Sequence, residues 1–90
     1  TRIRIKMCGT TSLEDARAAV AAGVDALGFI FYEKSPRNID SESARLILEH
    51  LPPFVDTVGV FVDREREEVE EIIRYCGLGF AQLHGQESPK

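Results

Sequence analysis

Apolar residues along the chain are gathered into four short runs, and the segments between the runs carry apolar residues at helical spacing. The runs contain few polar positions, as in L-G-F-I-F and V-G-V-F-V. Parallel strands that are buried on both faces have this composition, because neither face needs to be polar. The pattern therefore predicts four strands, over residues 3–7, 26–31, 57–62 and 80–83.

Three helices are predicted between these strands, and each has a recognisable start or stop signal. The first begins at Ser12, whose hydroxyl can accept a hydrogen bond from a free backbone amide, and ends at Gly23, which easily adopts a left-handed conformation. Pro52 follows the second helix and Gly77 follows the third, and both residue types end helices. The predicted helices cover residues 12–23, 41–51 and 64–76.

The order of elements is therefore βαβαβαβ, which predicts an α/β fold with a parallel sheet. This order fits a doubly wound open sheet or part of an eight-fold barrel. A whole barrel needs about 200 residues or more, so a chain of 90 residues would supply about half of one. Such a sheet has two open edges, which invite pairing with another chain. We therefore expect one partial domain over residues 1–90, with strands 1–4 and helices 1–3, that belongs to a larger protein or completes itself by association.

The composition excludes several classes of function. The net charge is −4 and 43% of the residues are hydrophobic, which argues against binding to nucleic-acid phosphates. No apolar run approaches the roughly 20 residues that cross a bilayer, and no leader with a cleavage site is visible. The two cysteines are too few for a secreted disulfide scaffold, and no Cys or His spacing suggests a metal site. We expect a cytoplasmic protein that binds neither membrane nor nucleic acid.

A cysteine stands where the first predicted strand passes into the first helix, in the segment K-M-C-G-T-T. Ligands of parallel α/β folds bind at the carboxyl ends of the strands, so Cys8 lies on the expected working edge. The amino end of the helix that follows favours a thiolate, which could act as a nucleophile or as a general base. The alternative is that Cys8 is a small buried apolar residue, as most free cysteines are.

Three further residues at this edge are candidates for contact with a substrate. Arg37 lies in the longest strand-to-helix loop, where its planar guanidinium suits a carboxylate or a phosphate, unless it is only a solvated loop residue. His84 follows the fourth strand, and a lone histidine there is more often a structural hydrogen-bond partner than a catalyst. Asp63 ends the third strand, where it would either face the substrate or cap the third helix.

A set of short motifs covers essentially the whole chain, in the order K-M-C-G-T-T, D-A-L-G-F-I-F, K-S-P-R, L-P-P-F-V, V-G-V-F-V and A-Q-L-H-G. Their combination resembles the phosphoribosylanthranilate isomerase family of tryptophan biosynthesis, over the amino-terminal half of that enzyme. The resemblance implies the amino-terminal half of a (βα)8 TIM barrel that uses neither metal nor cofactor. It also implies the reaction, an Amadori rearrangement of N-(5-phosphoribosyl)anthranilate to 1-(2-carboxyphenylamino)-1-deoxyribulose 5-phosphate.

The resemblance implies roles for three residues of this chain. Cys8 would be the general base that takes the proton from C2′ of the ribose, Arg37 would hold the anthranilate end of the substrate, and His84 would lie beside the substrate at the rim of the site. The family's general acid, an aspartate, and its phosphate site come from later strands, outside these 90 residues. The isolated chain is therefore expected to be inactive. Thr10 stands where relatives often carry Ile or Leu, and we expect it to face solvent or substrate.

Two other interpretations belong to different classes of function. The chain could be a non-catalytic half-barrel, a folding or assembly module that pairs through its exposed edges. It could also be a flavodoxin-like phosphate or nucleotide binder, but it contains neither a G-x-G-x-x-G loop nor a P-loop.

The family resemblance implies that the ligand is a small phosphorylated sugar joined to anthranilate. The expected partner is the carboxyl-terminal half of the barrel, or a second copy of the chain.

Overall fold

The fold alternates parallel strands with helices, as the hydrophobic pattern predicts. A computed structural model describes residues 5–84 of the chain. Over these residues the strands are β1 (Lys6–Cys8), β2 (Ala26–Phe31), β3 (Asp56–Val62) and β4 (Phe80–His84). The helices are α1 (Leu13–Ala21), α2 (Ser41–Leu48) and α3 (Arg66–Cys76).

The order of the strands distinguishes between the two architectures that the sequence left open. All the described strands are parallel, and they lie in the order β1-β2-β3-β4. A doubly wound sheet reverses its strand order at a switch point, whereas a barrel adds each new strand beside the last one. The sequential order therefore identifies this sheet as a segment of a barrel wall.

The hydrophobic core lies between the helices and one face of the sheet. Leu27, Phe29 and Phe31 occupy alternate positions of β2, are at most 1% exposed, and share a cluster with apolar residues of α1, α2 and α3. The rings of Phe31 and Phe61 stack with their centroids 5.1 Å apart. Full burial of a Leu or Phe side chain contributes about 1.5–3 kcal/mol, so these alternate positions hold the helices on the sheet.

The opposite face of β2 carries Ala26, Gly28 and Ile30, with Gly28 at its centre. Side chains alternate along a strand, so Gly28, which stands between Leu27 and Phe29, faces away from the core. Its register partner on β1 is Cys8. Cys8 Sγ lies 3.0 Å from the position that a Cβ atom of Gly28 would take, and Lys6 Cε lies 3.4 Å from the same position. Lys6 and Cys8 therefore project from this second face.

Two polar residues of β4 project from the same face. Phe61 faces the core and is the register partner of Leu83, so the residues on either side of Leu83, which are Gln82 and His84, point the other way. This face, which bears Lys6, Cys8, Gln82 and His84, is called the inner face below. In a closed barrel it lines the interior.

The first two helices begin at side-chain caps. Ser12 Oγ accepts a hydrogen bond of 3.0 Å from the backbone amide of Asp15, as the sequence predicts for α1. The Asp40 carboxylate accepts hydrogen bonds from the Ser43 hydroxyl at 2.8 Å and from the Ser43 backbone amide at 3.0 Å. These bonds lower the pKa of the Asp40 carboxyl below its ordinary value. Such a cap stabilises a helix by about 1 kcal/mol.

The helices are shorter than the sequence pattern predicts. α1 ends at Ala21 rather than at residue 23, and α2 ends at Leu48 rather than at residue 51. After α2, the amides of His50 and Leu51 bond carbonyls three residues back, so the last turn tightens before the prolines. α3 begins at Arg66 rather than at residue 64. No helix within residues 5–84 is long and apolar enough to cross a membrane.

Candidate active site

The first and fourth strands each extend one residue further than predicted, so that Cys8 and His84 are strand residues. β1 ends at Cys8 and β4 ends at His84, whereas the sequence pattern ends these strands at residues 7 and 83. Positions 3 and 4 of the first predicted strand lie outside the described residues. Because the side chain of a strand residue points to one face of the sheet, both side chains are directed to the inner face. The Cys8 thiol is free and exposed.

The turn after Cys8 is fixed to the neighbouring strand. Gly9 has a φ of +89°, a left-handed conformation that glycine adopts without a steric penalty. The backbone amides of Gly9 and Thr10 both donate to the carbonyl oxygen of Gly28, each at 3.0 Å. These bonds hold the turn against β2 and set the position from which the Cys8 side chain extends.

The space that the Cys8 thiol occupies exists because position 28 has no side chain. A Cβ atom on Gly28 would lie 3.0 Å from Cys8 Sγ and 3.3 Å from Cys8 Cα. Both distances are shorter than the roughly 3.5–4.0 Å at which such atoms attract each other best. Gly28 therefore leaves room for the thiol on the inner face.

The loop between β2 and α2 folds back along β2 toward β1. The Ile39 amide donates to the Ile30 carbonyl at 2.9 Å, and Asn38 forms an isolated parallel bridge with Ile30. Within the loop, the Arg37 amide donates to Ser35 Oγ at 3.1 Å. The segment before α2 thus lies beside the end of β2, on the side where β1 has stopped.

This return of the loop brings Arg37 and Cys8 to the same place. The Arg37 side chain crosses the backbone of Gly9: Arg37 Cδ lies 2.6 Å, and Nη1 lies 3.2 Å, from the position of a Cβ atom on Gly9. The guanidinium therefore stands over the residue that follows the thiol. A thiolate can take a proton from carbon, and a guanidinium can hold a carboxylate or a phosphate.

His84 lies at the far side of the inner face, on β4. Its ring Nε2 is 3.2 Å from Gln82 Nε2, and its backbone carbonyl accepts a hydrogen bond of 2.9 Å from the Asp63 amide. Gln82 in turn accepts a hydrogen bond from Lys6. The structure thus connects His84 to β1 through Gln82 and Lys6, and joins Arg37 to the turn of Cys8 directly.

Of the two positions that the sequence left open for Thr10, facing solvent is wrong. Thr10 is only 3% exposed, and no described residue gives its Oγ1 atom a hydrogen-bond partner. The amide of Thr10 is held by the Gly28 carbonyl, which turns the residue inward after the glycine. A buried position explains why an apolar residue is expected there in related sequences.

Asp63 does not occupy the amino-terminal cap position of the third helix. The amino-terminal cap of α3 is Glu65, and Asp63 lies before it with a φ of 54°. Aspartate tolerates this left-handed conformation better than most residues. Backbone strain of this kind is frequent at functional sites, and Asp63 stands at the carboxyl end of β3, on the same edge as the other candidates.

Lys6, Gln82 and Gly28 lie at the candidate site but were not among the site residues predicted from the sequence. Lys6 and Gln82 stand two residues before Cys8 and His84 respectively, so each pair shares one face of its strand. A polar residue inside a short apolar strand is the signal that could have identified both. Gly28 gave no signal of its own, because its role depends on the register of β1 against β2.

The edge of the site is an open cavity of about 510 Å³. It lies between β1 and α1, and Cys8, Gly9 and Arg37 are among the residues that line it. Within residues 5–84, no group of three or more His, Cys, Asp or Glu side chains is arranged to hold a metal ion.

Comparison with known proteins identifies the family. One family model matches residues 5–90, and its description is N-(5'phosphoribosyl)anthranilate (PRA) isomerase. The chain belongs to this family. Among curated PRA isomerases, the one from Geobacter sp. (strain M21) is 57% identical over 86 residues, which are 96% of this chain and 42% of the relative. The one from Pseudomonas putida (strain F1) is 51% identical over 90 residues, which are 100% of this chain and 44% of the relative. The chain thus spans less than half the length of these PRA isomerases.

Solved structures of PRA isomerases have the same fold. The enzyme from Thermotoga maritima is 50% identical and superposes with a TM-score of 0.93, over 97% of this chain and 42% of that one. A second PRA isomerase structure contains reduced 1-(o-carboxyphenylamino)-1-deoxyribulose 5-phosphate. It matches with a TM-score of 0.93 at 50% identity, over 97% of this chain and 45% of that one. The described sheet is therefore the amino-terminal half of a (βα)8 barrel, as the sequence resemblance implies.

Proposed function

We propose that the protein to which this chain belongs converts N-(5-phosphoribosyl)anthranilate to 1-(2-carboxyphenylamino)-1-deoxyribulose 5-phosphate. Membership of the PRA isomerase family supports this reaction. The observation that carries the assignment of roles is the position of the Cys8 thiol, at the carboxyl end of β1 with the Arg37 side chain across the next residue. A thiol that can act as a base and a guanidinium that can bind an anion are thus neighbours at one end of the sheet, which supports these roles.

Cys8 acts as the general base of the rearrangement. A general acid first protonates the ring oxygen, the C1′–O bond breaks, and the nitrogen lone pair forms a C1′=N bond. The Cys8 thiolate then takes the proton from C2′. The C2′–H electrons form a C1′=C2′ bond, and the C=N electrons return to nitrogen. The resulting enolamine becomes the ketone by moving one proton from the C2′ hydroxyl to C1′. A positioned base of this kind contributes about 10²–10⁴ in rate.

Arg37 holds the anthranilate carboxylate, and His84 lies beside the substrate. The two parallel N–H groups of a guanidinium match the two oxygens of a carboxylate. The compound bound by the PRA isomerase relative carries a carboxyphenyl group and a phosphate, so a ligand of this type offers two anions. In this arrangement Arg37 orients the substrate so that C2′ faces the thiol.

The general acid and the phosphate site come from the part of the barrel that follows residue 90. The relatives are more than twice as long as this chain, and the phosphate sites of such barrels are frequently built after strands seven and eight. Residues 1–90 by themselves are therefore expected to show no turnover, because acid and base act as a unit.

The proposal is tested in a completed protein. We define this as residues 1–90 followed by the segment of the Geobacter relative that lies beyond its match to this chain. Disappearance of anthranilate fluorescence from the substrate measures turnover. Cys8→Ala and Cys8→Ser should lower kcat by about 10² or more, whereas Cys76→Ala, which removes the buried thiol, should leave kcat within about twofold. Turnover by Cys8→Ala at the unaltered rate would refute the proposal.

Arg37 is tested by the balance between kcat and KM. Arg37→Met should raise KM about tenfold or more, because a hydrogen bond to a charged group contributes about 1.5–3 kcal/mol. Arg37→Lys should recover only part of this loss, since an ammonium cannot form the paired hydrogen bonds. An unaltered KM in Arg37→Met would remove Arg37 from the binding role.

The alternative is a non-catalytic half-barrel that pairs with a second copy. Exposed apolar residues on the outer strands favour it: Met7 of β1 is 44% exposed, and Phe80 and Leu83 of β4 are 57% and 67% exposed. Analytical ultracentrifugation of residues 1–90 decides between the two. A tight dimer without activity that does not respond to the carboxyl-terminal segment would favour the assembly module. Recovery of turnover on adding that segment would favour the enzyme.

A cytoplasmic location remains a prediction from the sequence.

A further inference from the structure

Lys6 and Gln82 belong to the outermost strands of the described sheet, yet their side chains are hydrogen-bonded. Lys6 Nζ donates to Gln82 Oε1 at 2.8 Å. Two strands separate β1 from β4, which in a flat sheet would place their backbones about 14 Å apart. The curvature of the sheet brings the two side chains together across the inner face. This hydrogen bond therefore links the strand of Cys8 to the strand of His84.

The chemistry of the Lys6, Gln82 and His84 side chains fixes the direction of the two hydrogen bonds that join them. The Lys6 ammonium has only donors, so the carbonyl oxygen of the Gln82 amide must face it. The Gln82 NH₂ group then faces His84, with 3.2 Å between Gln82 Nε2 and His84 Nε2. An NH₂ group only donates, so His84 Nε2 must accept and carries no proton. An imidazole that accepts at Nε2 carries its proton on Nδ1.

Lys6, the other residue bonded to Gln82, lies on the same face of the sheet as the Cys8 thiol. Lys6 and Cys8 project from the same face of β1, and both Lys6 Cε and Cys8 Sγ approach the position that a Cβ of Gly28 would occupy, at 3.4 and 3.0 Å. The hydrogen bond to Gln82 restrains the long Lys6 side chain on this face. The Lys6 ammonium is therefore held on the face of β1 that carries the Cys8 thiol.

We propose that Gln82 is a positioning residue that acts through Lys6 and His84 at once. Its carbonyl holds the Lys6 ammonium near Cys8, and its NH₂ group holds the His84 ring with Nε2 as acceptor and Nδ1–H as donor. The Nδ1–H group then donates to an oxygen atom of the substrate. This role rests on the proposed function, because the substrate contact exists only if the reaction occurs on the inner face.

The protonation of His84 is read directly by ¹⁵N NMR on the completed protein, with the His84 signals assigned by their loss in His84→Gln. We expect Nδ1 to be protonated and Nε2 to be unprotonated at neutral pH. In Gln82→Glu, a carboxylate replaces the NH₂ group and Nε2 should become protonated. His50, whose Nδ1 lies 2.8 Å from the Leu46 carbonyl oxygen, serves as an unaltered internal reference. A protonated Nε2 in the wild-type protein would overturn the proposal.

The coupling between Lys6 and Gln82 is measured by kinetics. Gln82→Met keeps the length of the side chain and removes its donors and its acceptor, and we expect kcat/KM to fall about tenfold. Lys6→Met should cause a similar loss, and the double variant should lose little more than either single one. Arg17→Met removes a positive charge from the exposed side of α1 and should have no effect. Losses that multiply in the double variant would contradict the proposal.

The alkylation rate of Cys8 by iodoacetamide separates this role from a structural one. At pH 7, Lys6→Met should react about fivefold more slowly, since alkylation needs a negatively charged sulfur and the substitution removes a positive charge from the same face of β1, and Lys6→Arg should react at nearly the wild-type rate. An unaltered rate in Lys6→Met would refute the Lys6 part. Neither this measurement nor the NMR experiment requires turnover. A completed wild-type protein without activity would therefore refute the proposed function, and the NMR and alkylation results would still test the roles of Lys6, Gln82 and His84.

Discussion

Arg37 and Gly9 are in direct contact, because the Arg37 side chain runs across the glycine where any other residue would carry Cβ. The position of that Cβ would be 2.6 Å from Arg37 Cδ and 3.5 Å from Arg37 Cβ. A Cβ on Gly9 would clash with the middle of the arginine side chain, so a movement of the guanidinium alone would not relieve the clash. The glycine after the thiol therefore has two functions: it permits the turn, and it seats the guanidinium.

Gly9→Ala should displace Arg37 and raise KM about tenfold in the completed protein, because hydrogen bonds to a charged group are lost. The matched control is Gly23→Ala. Gly23 has a similar φ of +95°, but no atom lies within 4 Å of its Cβ position. Both variants bear the strain of a left-handed alanine, about 1–2 kcal/mol, and only Gly9→Ala should alter KM. Steady-state kinetics and denaturant unfolding of both variants separate the two effects; equal KM values would contradict the contact.

Gly28→Ala should lower kcat about tenfold and leave KM nearly unaltered. The new methyl group would lie 3.0 Å from Cys8 Sγ, so the thiol must shift by a few tenths of an ångström, and misplacement of a reacting group is costly in rate. Gly79→Ala is the control, since its nearest neighbour is the Thr57 carbonyl oxygen at an ordinary 3.5 Å. If Gly28→Ala changes KM rather than kcat, position 28 contacts the substrate and does not clear space for the thiol.

Thr10→Val should stabilise the completed protein by about 1 kcal/mol. Valine has nearly the same shape as threonine, and the substitution removes a hydroxyl that is buried without a hydrogen-bond partner among the described residues, which costs about 1–3 kcal/mol. Thr11→Val, at the exposed neighbouring position, should have an effect within about 0.5 kcal/mol. Urea unfolding curves provide the comparison, and a loss of stability in Thr10→Val would reveal a partner for the hydroxyl.

Stability should decline at alkaline pH through Cys76. Burial raises the pKa of the Cys76 thiol, whose Sγ donates to the Ser41 carbonyl at 3.3 Å. The contribution is fully present below the unfolded pKa of about 8.5. Above that pH the unfolded chain ionises first, so the free energy of unfolding falls by at most about 1.4 kcal/mol per pH unit until the folded thiol also ionises. Unfolding curves of wild type and Cys76→Ala between pH 7 and 10 test this; parallel pH dependences would show that Cys76 does not contribute.

The sequence predicted the order and the approximate bounds of the strands and helices, but it did not predict the contacts among the candidate site residues. The run A-L-G-F-I-F predicted β2 with its observed bounds, since a doubly buried strand leaves a strong apolar signal. The sequence left the environments of Thr10 and Asp63 undecided, because local patterns do not show which way a residue turns after a glycine or before a helix. The contact of Arg37 with Gly9 depends on a loop that returns along β2, and no periodicity reports such a path.

By itself, the sequence determined the alternation of strands and helices and the placing of Cys8 at the end of a strand. These follow from apolar periodicity and from turn-forming residues, which act over a few positions of the chain. The tertiary structure alone decided that the strands follow one another around a curved wall and that Lys6 reaches Gln82 across it. Residues 76 positions apart meet only through strand register and sheet curvature, and these are properties of the packed sheet as a whole.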